Sequence, residues 1–153
     1  MTISCIPASD ALGAVISGVD LAKTLDSETV GALQKIWAKN LVMIFRGQSL
    51  SDDDLIRFSS HFGECEKAPI GDSVLEQDIP PEITVVSNVM EDGKPIGFLG
   101  TGELTWHTDM SYIEVPPTFS LLHSRVIPEE GGDTSFCSQV MAAKALPVDL
   151  REK

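Results

Sequence analysis

The sequence predicts a mixed α/β fold, mainly β, on three observations. Two apolar-periodic stretches near the start, 25–40 and 49–63, carry their own capping residues and predict helices. From residue 83 onward, β-branched and aromatic runs recur between turns rich in Gly and Pro. At 153 residues the chain has the length of one ordinary domain, large enough to bury a core without staples.

In the first helix, "LDSETVGALQKIWAKN", Asp26 or Ser27 is placed to cap, and Val30, Leu33 and Trp37 share one face. "LVMIF" (41–45) predicts a buried strand, ended by "RGQ". The second helix, "SLSDDDLIRFSSHFG", has a clear start. Ser51 and Asp54 form an S-x-x-D capping box, and three acids sit at the positive helix end. Leu55, Phe58 and Phe62 make its apolar stripe, and Gly63 is a natural stop.

Residues 64–82 turn to Gly, Pro and acids and predict a surface excursion. "ITVVSNV" (83–89) predicts a strand, and 90–103 a Gly-rich loop of functional length. Strands are expected over 104–112 and 118–127, separated by Pro116 and Pro117. "PEEGGDTSF" predicts a turn into a short strand, and "SQVMAAKALP" a helix halted before Pro147. "VDLREK" reads as the opening turn of another helix with no room to bury a face, so the chain is expected to be a portion of a longer domain.

The content of 42% hydrophobic and 22% charged residues is that of a globular domain. A net charge of -12 and a pI of about 4.4 repel phosphate backbones and anionic lipid, which argues against nucleic-acid and membrane partners. A small anionic substrate remains compatible, because a few local cations can reverse the field inside a pocket. Cys5, Cys65 and Cys137 are odd in number and far apart, the pattern of reduced thiols in a cytoplasmic protein. The start "MTISCIPASD" lacks the basic and apolar regions of a secretory leader, and "LVMIF" is too short to span a bilayer.

Function turns on "ELTWHTDMSY" (103–112), where His107 and Asp109 stand two positions apart. On a strand, residues i and i+2 project from one face, whereas on a helix they diverge by about 200°. An imidazole and a carboxylate side by side supply two donors of a 2-His-1-carboxylate triad, which leaves open positions on a non-haem Fe(II). A His–Asp hydrogen bond on the wet face of an ordinary strand would produce the same triplet.

The wider run "GELTWHTDMSYIEVPPTFSLLHSRVIPEEGGDTSF" closely resembles the taurine dioxygenase (TauD/TfdA) family of Fe(II)- and 2-oxoglutarate-dependent oxygenases. The matching features are W-H-T-D, the Pro-Pro before the next strand, and G-G-D-T about two dozen residues after the aspartate. Upstream, helix, "LVMIFRGQ", helix and "FG" recur in the family's order. The resemblance implies a double-stranded β-helix (jelly-roll) core with flanking helices, of which residues 1–153 would be the N-terminal portion of a single domain. It implies His107 and Asp109 as iron ligands, and Thr134 as the residue that hydrogen-bonds 2-oxoglutarate, a carboxylate being well served by a directional hydroxyl donor. Gly131 and Gly132 would allow the tight turn before it. Asn88, Glu103 and Met110 are candidates for the substrate pocket.

The activity so implied is decarboxylation of 2-oxoglutarate to succinate and CO2, coupled through O2 to oxidation of a small-molecule substrate, usually hydroxylation. "GFLGTGEL" departs from the stretch expected of a taurine enzyme, so taurine itself is not carried over. His61, on a helix beside Phe58 and Phe62, and His123, on the expected strand after the motif, are weaker candidates for a third ligand. The family's second histidine and its 2-oxoglutarate arginine are expected beyond residue 153, so activity is expected of a full-length form. The alternative is a non-catalytic, shortened paralogue or half-domain that binds metal weakly or pairs with another chain. Unpaired strand edges would also favour association into a homo-oligomer.

Overall fold

A computed structural model of the chain describes residues 2–67, 79–99 and 105–152. They fall into two compact units, residues 1–49 with 124–153, and residues 50–123.

The first unit is built on a three-stranded sheet of order β1-β2-β3: Ser4–Pro7, Ala14–Ser17 and Met43–Phe45. β1 pairs antiparallel with β2, Cys5 opposite Ile16, and β2 pairs parallel with β3, Val15 opposite Ile44. Parallel neighbours need a crossover, and helix α1 (Ser27–Asn40) provides it and packs on β3. Asp26 caps α1, its carboxylate accepting from the Thr29 amide at 2.7 Å.

Leu33 on α1 is buried, as are Ala14, Ile16, Val19 and Leu21. Alternation along β2 puts Ala14 and Ile16 on the same inner face. The Gln48 carboxamide ties the exit of β3 to the end of β2, accepting from the Leu21 amide (2.9 Å) and donating to the Val19 carbonyl (3.3 Å). Gly18, at φ +83, has no space for a side chain, since a Cβ there would collide with the Thr2 carbonyl.

Two expectations change here. The strand expected over 41–45 begins at Met43, because Leu41 takes φ 66 and its amide closes α1 on the Trp37 carbonyl. β1 and β2 are strands that no sequence pattern announced. In the same unit, α3 (Gln139–Ala145) is capped by Ser138 and followed by α4 (Val148–Arg151), as expected. The Arg151 guanidinium donates to the carbonyls of Lys144 and Leu146, satisfying the C-terminal end of α3.

The second unit opens with α2 (Asp52–Ser60), whose reciprocal Ser51–Asp54 capping box is formed. Phe58 is buried, and an edge-to-face chain runs from it to Phe62 (5.4 Å) and on to Phe119 (5.2 Å). β4 (Val86–Ser87) pairs parallel with β7 (Phe98–Leu99). Gly97 permits that approach, since a Cβ there would stand 2.6 Å from the Ser87 Cβ. The loop expected over 90–103 is in part a hairpin: β5 (Met90–Glu91) pairs with β6 (Lys94–Pro95) through Asp92 and Gly93, at φ 49 and 76. Two positive φ values in succession mark a I′-type turn, for which Asp-Gly is a preferred pair.

The strands expected over 104–112 and 118–127, and after "PEEGGDTSF", are not found among the described residues, where 105–138 is turn and irregular chain. Met110 at φ 48 interrupts any extended run, and no strand among the described residues supplies a ladder there. The described residues are thus mixed α/β with an open sheet. They do not display a jelly-roll, which takes eight strands in two sheets, and "mainly β" does not hold for them, the 14-residue α1 being longer than any strand. No helix among the described residues is long and apolar enough to cross a membrane.

Candidate metal centre

His107 and Asp109 are brought together by a turn, not by a strand. The chain folds over at Asp109–Met110, Met110 takes φ 48, and the Ile113 amide closes the turn on the Met110 carbonyl at 3.3 Å. The imidazole lies across the start of this turn, with Nε2 3.0 Å from Asp109 Oδ1. Its other nitrogen, Nδ1, is 2.8 Å from the Thr105 carbonyl oxygen. Asp109 Oδ2 accepts from the Ser120 hydroxyl at 2.7 Å. The two side chains keep 49% and 55% of their exposure, so the pair is open to solvent and to an incoming ion.

The hydrogen bonds fix what each atom can do. A carbonyl oxygen only accepts, so Nδ1 carries a proton, and Nε2 is the nitrogen turned to the carboxylate. Facing Asp109 Oδ1, Nε2 must carry a proton as well or share a cation with that oxygen. The His107 pKa is accordingly raised, first by the hydrogen bond to the Thr105 carbonyl and then by the hydrogen bond and charge of Asp109.

These donors suit a hard or borderline divalent cation. Two donors about 2.1 Å from one ion at right angles stand about 3.0 Å apart, the spacing of adjacent positions around a six-coordinate metal. An Nδ1–H anchored on a backbone carbonyl is the usual support for an Nε2 ligand, and a hydroxyl on the outer oxygen is the usual support for a carboxylate ligand. Among the described residues no group of three His, Cys, Asp or Glu side chains forms. The pair could therefore offer a cation two adjacent donors, with the remaining positions left to other ligands.

His61 is the C-cap of α2 with its ring edge-on to Phe58 at 6.5 Å, the partly buried helix histidine expected of it. His123 has a buried Nδ1 without a hydrogen-bond partner, and neither histidine joins the pair in a group of three. Asn88 is exposed between β4 and β5, and Met110 is half-buried on the turn that shapes the pair. Glu103 lies outside the described residues. Thr134 belongs to the first unit, exposed in irregular chain just after Gly131 and Gly132, which take φ 73 and 72. All three cysteines are free thiols. Ser120 was not singled out by sequence. A serine 11 positions after the aspartate carries no signal until the chain folds back.

Comparison with known proteins places these residues in context. The taurine catabolism dioxygenase TauD, TfdA family matches residues 6–153. An (S)-phenoxypropionate/alpha-ketoglutarate-dioxygenase of Delftia acidovorans is 32% identical over 95% of this chain and 49% of its own length. An alpha-ketoglutarate-dependent 2,4-dichlorophenoxyacetate dioxygenase of Cupriavidus pinatubonensis is 31% identical over 100% of this chain and 56% of its own length. The chain thus spans about half the length of the curated relatives it matches. Among solved structures, a taurine dioxygenase from Burkholderia xenovorans is 34% identical over 42% of this chain and 24% of its own, with a TM-score of 0.41.

Proposed function

Because this chain belongs to the taurine catabolism dioxygenase TauD, TfdA family, we propose that it carries the metal-binding H-x-D segment of a 2-oxoglutarate-dependent dioxygenase. In this reading the whole domain has the jelly-roll core of the resemblance, and residues 1–153 form its N-terminal portion. The observation that carries the proposal is the juxtaposition of His107 Nε2 and Asp109 Oδ1 at 3.0 Å, each with its outer atom held by a further hydrogen bond.

His107 Nε2 and Asp109 Oδ1 would hold Fe(II). When bound, the iron supplies activation of O2, coupling conversion of 2-oxoglutarate to succinate and CO2 with oxidation of a substrate C–H bond. The chain's own residues orient and bind. The Thr105 carbonyl keeps the imidazole in the Nδ1–H tautomer, so that the Nε2 lone pair is the one available. The Ser120 hydroxyl occupies Asp109 Oδ2 and leaves Oδ1 beside the imidazole. Thr134 is proposed, on its motif, to donate its hydroxyl to a carboxylate of 2-oxoglutarate, with Asn88, Glu103 and Met110 on the substrate side.

The substrate is proposed to be a small molecule, in keeping with relatives named for phenoxypropionate and 2,4-dichlorophenoxyacetate. A cytoplasmic location is proposed on the free cysteines. The test is anaerobic loading of the full-length protein with Fe(II) and 2-oxoglutarate, admission of oxygen, and assay of succinate. Succinate that needs both iron and His107 is expected. Succinate formed equally by His107→Ala would contradict the proposal.

A further inference from the structure

We propose that Ser120 is a positioning residue of the metal centre, holding the Asp109 carboxylate in the rotamer that presents Oδ1 to the ion; this rests on the reading of His107 and Asp109 as ligands. A carboxylate on a half-exposed turn can rotate about two side-chain bonds and offer either oxygen, or neither, to a cation. Here the choice is removed. Ser120 Oγ donates to Oδ2 at 2.7 Å, within the range of strong, charge-assisted O–H···O⁻ bonds, and Oδ1 alone is left facing Nε2.

The hydroxyl is itself carried on an anchored segment. Phe119, the preceding residue, packs edge-to-face on Phe62 at 5.2 Å, and Phe62 packs on Phe58 at 5.4 Å. Phe58 is 3% exposed in the α2 face of this unit. A continuous path of contacts therefore runs from α2 through Phe62 and Phe119 to the residue that bonds the ligand. Phe119 is half-buried against Phe62, and the exposed Ser120 next to it reaches Asp109.

Ser120 is exposed and belongs to no helix or strand, so its substitution leaves the apolar packing of the unit intact. That separates a positioning role from a folding role. The experiment is Mn(II) binding to the full chain, followed by loss of the free-ion electron paramagnetic resonance signal, for wild type, Ser120→Ala, Ser120→Thr and Asp109→Ala, with a thermal melt of each. Ser120→Ala is expected to bind Mn(II) about 10–100-fold more weakly at an unchanged melting temperature, the loss typical of removing an outer-shell partner. Ser120→Thr keeps a hydroxyl and is expected to stay within about threefold of wild type. Equal binding by Ser120→Ala and wild type would overturn the inference, and so would a threonine variant as weak as the alanine one. Wild type binding no better than Asp109→Ala would sink the ligand reading itself, and this inference with it.

Discussion

His107 Nε2 and Asp109 Oδ1 stand 3.0 Å apart on a turn, with the Thr105 carbonyl 2.8 Å behind the imidazole. Both ring nitrogens therefore face oxygen atoms, and one more positive charge is needed between Nε2 and the carboxylate. A proton satisfies the arrangement, and so does a metal ion. The two compete for the same lone pair.

That competition sets a pH dependence. The Thr105 hydrogen bond, followed by the Asp109 hydrogen bond and charge, raises the His107 pKa, so protons begin to displace metal at a higher pH than for an ordinary histidine. Mn(II) affinity is expected to fall as pH drops from about 8 to about 6, with close to one proton taken up per ion released. Affinity independent of pH over that range, measured by calorimetry in buffers of differing ionisation heat, would count against His107 as a ligand. Without metal the sign reverses. A raised pKa contributes stability that is present below the unfolded-state value and is lost as pH rises through the folded one. At 49% and 55% exposure the pair adds little to stability by that route.

Asp54 titrates in the opposite sense. The Ser51 hydroxyl, then the Ser51 amide, then Arg57 hold its carboxyl at about 2 instead of 3.8. A lowered pKa contributes stability present above the unfolded-state value and lost as pH falls through the folded one, so the α2 cap should persist into strong acid. The Asp54 side-chain carbonyl resonance is expected to titrate near 2, and Ser51→Ala to move that midpoint upward. A wild-type midpoint at 3.8 would show that the box is not formed in solution.

Leu33 on α1 is fully buried, so Leu33→Ala removes core contacts that cannot be replaced. Urea unfolding is expected to show a loss of about 2–5 kcal/mol. Gly31, two positions earlier on α1, has open space where a Cβ would stand. Gly31→Ala should therefore raise stability by about 0.5–1 kcal/mol. A destabilised Gly31→Ala would mean that this face of α1 is covered.

What was legible in the sequence follows the range of the forces involved. Helix starts are written locally: Asp26 over Thr29 and Ser51 with Asp54 each act within three residues, and each is formed. The juxtaposition of His107 and Asp109 was legible for the same reason, since the two are two positions apart. Its geometry was misread, as a strand in place of a turn, because the aromatic and β-branched run around it gives no sign of the positive φ at Met110. Strands depend on partners distant in sequence. β2 has its parallel partner β3 beyond α1, β1 is held only by its pairing with β2, and the extended runs at 104–112 and 118–127 find no ladder among the described residues. The Asp92–Gly93 hairpin is marked by its D-G pair, but the Gly-rich stretch around it gives the same composition as a loop. Ser120 belongs to a third kind, a long-range contact made by a common residue in an unremarked position.

The central claim is that His107 and Asp109 share one divalent ion, and the most direct measurement is the stoichiometry and affinity of Mn(II) binding to the wild-type chain, His107→Ala, Asp109→Ala and the double variant. Mn(II) takes the oxygen and imidazole donors of such sites and resists air oxidation. The predicted result is one ion per wild-type chain and loss of that site in each single variant. The double variant should be no weaker than the singles, because removing either donor already dissolves the pair. Binding of Mn(II) to the double variant with wild-type affinity would contradict the claim and place the ion elsewhere.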